Sequence, residues 1–121
     1  MPKKRKTRAR GETAAAPGTF EQIRDLYFSL ERNFNALFSA CQADAERDQF
    51  RLDYIAARGS FWKAQNHVFN ENDPHVQELS GRLKEHRSKI EQDLAGLQLT
   101  ATTLKTITSA VQLVTTIMAL A

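Results

Sequence analysis

One cysteine, five glycines and three prolines are all that this 121-residue chain contains of the residues that staple, bend or break a fold. A lone cysteine leaves no intrachain disulfide and no paired-thiol zinc site. Cys41 lies at helical spacing among apolar neighbours and reads as a small buried hydrophobe. Scarce glycine and proline exclude a turn-rich β architecture and favour long elements. Also missing are a glycine-rich phosphate loop, a nucleophile elbow and any acid–base pairing at catalytic spacing. The histidines, His67, His75 and His86, have no carboxylates or thiols converging on them in the sequence pattern. The chain is therefore read as non-enzymatic, with no catalytic residue, cofactor, metal site or small-molecule substrate expected.

Charge of one sign is concentrated rather than spread. Residues 1–18 hold Lys3, Lys4, Arg5, Lys6, Arg8 and Arg10 against Glu12, so 6 − 1 = +5. Residues 19–121 hold 11 basic and 13 acidic side chains, or −2, which together give the net +3. No apolar run follows the basic start, where Gly11-Glu12-Thr13 stands instead, so a secretory signal is not read there. With no large apolar side chain after Met1, this arm cannot offset the entropy of ordering and is expected to be disordered. Its cations can release counterions from phosphates without reading bases. The Lys-Lys-Arg-Lys core also has the form of a nuclear localisation signal, and an anionic membrane would attract it too. It lacks aromatics to stack on bases, which speaks against sequence-specific single-strand recognition.

From residue 19 onward the chain is helical in pattern. Thr19 stands as an N-cap, with Gln22 completing a capping box. Apolar positions recur at Phe20, Ile23, Tyr27, Leu30, Phe34, Leu37 and Cys41, a heptad seam. The seam weakens over residues 43–49 and resumes at Leu52, Ile55, Gly59, Trp62 and Phe69. Phe61 and Trp62 are expected in the core beneath a turn, with an exposed aromatic anchor for a partner as the alternative. The strong stop is Asn70-Glu71-Asn72-Asp73-Pro74, with Asp73 as the next N-cap and Pro74 in the first turn. A second seam runs Val76, Leu79, Leu83, His86, Ile90, Leu94, Leu97, Ala101, Leu104. The expected fold is all-α: an arm over residues 1–18, then a coiled-coil-like antiparallel hairpin over 19–121 with helices at about 19–70 and 74–120.

Such a hairpin opposes residues 107–121 to residues 23–37 at its open end. Both faces there are wider than a two-helix seam can cover. Leu26, Phe28, Phe38, Leu113 and Ile117 form the surplus. Self-association through them is the expected solution. Folding back near residues 44–48 and Gly96 into a four-helix bundle, or contact with a membrane, are the alternatives. The uncharged stretch 106–121 has 16 residues, short of the roughly 20 a spanning helix needs. The functional expectation is a cytoplasmic scaffold, nuclear in a eukaryote, that forms homo-oligomers and contacts nucleic acid nonspecifically through its arm. A membrane-associated helical protein and an adaptor or accessory subunit of a larger complex are the alternatives.

Overall fold

The computed structural model describes residues 18–120, which form five α-helices and no strand. They are α1 (Thr19–Arg32), α2 (Phe34–Ala40), α3 (Asp44–Ala64), α4 (Pro74–Ala95) and α5 (Ala101–Leu120). The all-α expectation holds. The expected disorder of the arm concerns residues that, apart from Gly18, lie outside the described ones.

The two expected long helices are each divided, and folding back describes the chain better than an uninterrupted hairpin. Asn33 separates α1 from α2, its side-chain amide donating to the Ser29 carbonyl at 2.8 Å. Cys41 and Ala43 then adopt extended backbone, and the chain reverses into α3. The second division ends α4 at Gly96. The Leu97 N–H donates to the Leu94 carbonyl and the Gln98 N–H to the Asp93 carbonyl. Those are the bonds of a Schellman motif. The left-handed residue in it is Leu97, at φ 54°, not the adjacent glycine.

The four longer helices form a bundle in which α1 packs against α3 and α4, and α5 packs against the same two. The expected register is not adopted. Gln22 meets Ser80, Asp25 meets Arg87 and Asp53 meets Thr108, so α1 runs parallel to α4 and α3 parallel to α5. The core takes Ile23, Leu26 and Leu30 of α1, Leu37 of α2, Phe50 and Ala57 of α3, Leu83 and Ile90 of α4, and Ile107, Ala110, Val114 and Ile117 of α5. Aromatic rings bind the first half together. Phe61 stacks on Tyr27 at 5.4 Å, and Phe34 meets Phe50 at 5.1 Å and Tyr54 at 5.0 Å.

Thr19 is the first helical residue rather than the cap, and the capping box does not form. Glu71, in the loop before α4, takes that role. It accepts the Thr19 N–H at 3.1 Å and the Thr19 hydroxyl at 2.7 Å. Gln22 instead donates to the Ser80 hydroxyl at 2.7 Å. The expected cap of α4 is present: Asp73 accepts the His75 N–H at 2.8 Å, with Pro74 following. At the other end of that pair, the buried Thr103 hydroxyl donates to Asp93 at 2.7 Å and closes the α4–α5 turn.

Candidate functional site

Helix α3 is apolar on two faces. Phe50, Ala57, Phe61 and Ala64 point into the bundle with Asp53 among them. Two residues along a helix turn about 200° round it. The seam read from the sequence, Leu52, Ile55, Gly59 and Trp62, therefore lies on nearly the opposite side. It faces outward: Leu52 is 60% exposed, Ile55 53% and Trp62 57%. Nothing stands within 4 Å of a Cβ built at Gly59, so the stripe is open at its middle. Of the Phe61–Trp62 pair expected in the core, only Phe61 is there.

Beside this stripe lie charged and aromatic groups. The Arg58 guanidinium sits over the rings of Tyr54 and Trp62, at 5.6 and 5.2 Å. Glu31 accepts hydroxyl hydrogen bonds from both Tyr54 and Tyr27. The Tyr54 hydroxyl, foremost, holds the Glu31 carboxyl below the ordinary range, while burial leads the rise at Tyr27.

A second feature lies between α3 and α5, where a cleft of about 500 Å³ opens to solvent. Its floor is Phe50 and Asp53, both buried; Ala101 and Leu104 supply apolar wall, and Glu46 and Lys105 also line it. Asp53 accepts from the Gln49 amide at 2.9 Å and the Thr108 hydroxyl at 2.5 Å. No cation among the described residues forms an ion pair with it. Burial raises its carboxyl above the ordinary range, and the two hydrogen bonds oppose that rise. Sequence reading missed this site. The signal was present, because Asp53 is in phase with Phe50, Ala57 and Phe61 once that face, rather than Leu52 and Ile55, is taken as the core.

The residues expected to self-associate are not brought together at one surface. Leu26, Leu113 and Ile117 are buried in this chain's own core. Phe38 packs partly against that core beneath Arg51, and Phe28 is 37% exposed beside Phe61. The fold-back covers that surplus except at Phe28. The arm cations Lys3, Lys4, Arg5, Lys6, Arg8 and Arg10 lie outside the described residues.

Cys41 is buried, and burial pushes its thiol up, which makes it a poor nucleophile. His67 meets the Phe69 ring edge-on, and His86 bonds through Nδ1 to the Arg82 carbonyl at 2.7 Å. No cluster of three or more metal-ligating side chains occurs among the described residues. Helix α5 is long and apolar enough, by length and composition, to cross a membrane. In this fold its Ile107, Val111, Val114 and Ile117 are buried, while Lys105, Gln112, Thr115 and Thr116 face outward or toward the clefts. Comparison with protein-family models, curated proteins and solved structures gives no match.

Proposed function

We propose that the protein is a non-enzymatic helical interaction module. It pairs with a second copy through the outer face of α3 and holds nucleic acid, without reading sequence, through Lys3, Lys4, Arg5, Lys6, Arg8 and Arg10. The observation that carries the first half is the outward stripe Leu52, Ile55, Gly59 and Trp62. Large apolar side chains at coiled-coil spacing on a solvent face mark an interaction surface.

One feature favours a second copy as the partner. In an antiparallel pairing Ile55 lies opposite Gly59 of the second copy, where there is space for it, and Leu52 lies opposite Trp62. The stripe is roughly 15 Å long. That is small beside the ~800 Å² per partner of a stable interface, so the dimer is transient and concentration-dependent.

Size-exclusion chromatography with light scattering tests the pairing. The apparent mass should climb toward a dimer as concentration rises through the high micromolar range, and a constant monomer mass would overturn it. For the arm, a gel shift with double-stranded DNA should weaken steeply with salt and disappear when residues 2–10 are deleted. A shift that survives the deletion would sink that half.

A further inference from the structure

Buried charges in proteins are paired, because an uncompensated carboxylate in a low-dielectric site carries a large desolvation penalty. Asp53 departs from this rule. It is 5% exposed, yet among the described residues its partners are an amide and a hydroxyl, not a cation. Each of its oxygens accepts one hydrogen bond, whereas a carboxylate offers about four acceptor positions. The unused positions belong to a group on the floor of an open cleft.

The rest of the cleft constrains what could fill it. Ala101 and Leu104 give it apolar surface above the buried Phe50, and its volume of about 500 Å³ falls within the range of small-molecule pockets. Glu46 adds a second carboxylate and Lys105 one cation, so the lining is net negative by one charge. A bare metal ion does not suit it, since hard cations take about six or more oxygen ligands. We propose that the cleft between α3 and α5 is a receptor for an organic ammonium ion with an apolar body. Asp53 meets the ammonium, and Ala101 and Leu104 meet the hydrocarbon. This stands independently of the self-pairing proposed above, because the cleft and the outward stripe lie on different faces of α3.

The probe is phenethylammonium, titrated into the full chain at neutral pH and followed by amide shifts in NMR spectra. The expected result is saturable binding, with shifts concentrated in residues 46–53 and 101–112. Two probes of similar shape, neutral 2-phenylethanol and anionic phenylacetate, should bind about tenfold more weakly or worse. Asp53→Asn should lower ammonium affinity by at least about tenfold. Ala101→Trp, at an exposed position on the rim, should block the probe whether or not the Asp53 variant folds. Equal binding of the alcohol would show an apolar cleft with no charge recognition and overturn the proposal. So would no saturation by roughly 10 mM, or ammonium binding that Ala101→Trp leaves unchanged.

Discussion

Leu97 occupies a backbone conformation that its side chain disfavours. Its φ of 54° sits at the left-handed position of the turn after α4, and the side chain is 83% exposed. An L-residue there costs about 1 kcal/mol, while glycine adopts it freely. Leu97→Gly is expected to raise stability by roughly 0.5–1 kcal/mol in urea unfolding, with spectroscopic helix content unchanged. A loss of stability would show that the leucine supplies packing its exposure does not suggest. Asp53 makes a pH-dependent counterpart. Its folded-state carboxyl titrates above the ordinary value, so the folded state binds the proton more readily than the unfolded chain. Stability from this group is therefore highest below the unfolded pKa, about 3.9, and falls as pH rises toward the folded value. Asp53→Asn removes that dependence. The variant should melt higher than the parent at pH 7.5, and the gap should close near pH 3.5. Glu46 and Lys105 line the same cleft with opposite charges, so the burial of Asp53 leads the comparison. A variant no more stable than the parent at neutral pH would contradict the direction of the shift. Other residues were legible before any fold: the Asp73–Pro74 cap follows from local chemistry, as does the burial of Cys41. Leu97 was not legible, because the neighbouring Gly96 is where a left-handed residue is normally sought.

At the scale of elements, helix type was readable and helix phase was not. Helix α4 buries Val76, Leu83 and Ile90, all members of the seam read from its sequence. Helix α3 buries the other of its two faces. Its outward stripe holds the bulkier side chains, whereas the inward one includes Ala57 and Ala64. Periodicity ranks faces by apolar content, but small residues let helices approach closely, and only packing chooses between the two. The start of α1 teaches a similar lesson. A local capping box was readable there, yet Glu71, 52 residues along the chain, binds the end instead. Its carboxylate meets both the first N–H and the positive end of the helix dipole. Glu71→Ala is expected to cost about 1–2 kcal/mol in chemical denaturation. Glu71→Gln should recover part of that loss, since an amide oxygen still accepts without the charge. No effect from either change would assign the start of α1 to packing alone.

For the molecule as a whole, self-pairing and folding should be separable. Ile55 is 53% exposed, so Ile55→Arg removes little from the core. It also puts a cation at the centre of the proposed pairing face. Dimer affinity should fall by about tenfold or more while the melting temperature stays within a degree or two. Parallel losses of both would place Ile55 in the fold rather than at the interface. The sequence by itself determined that this protein is helical, where its central break falls, and that its charge divides between a basic arm and a mildly acidic body. Those properties are local, or sums over residues. Tertiary structure decided that each half folds back, that α1 runs parallel to α4, and that the exposed apolar stripe is the outside of α3 rather than an open hairpin end. These depend on which faces meet at a distance, and a heptad pattern is equally satisfied by a partner within the chain or by a second copy.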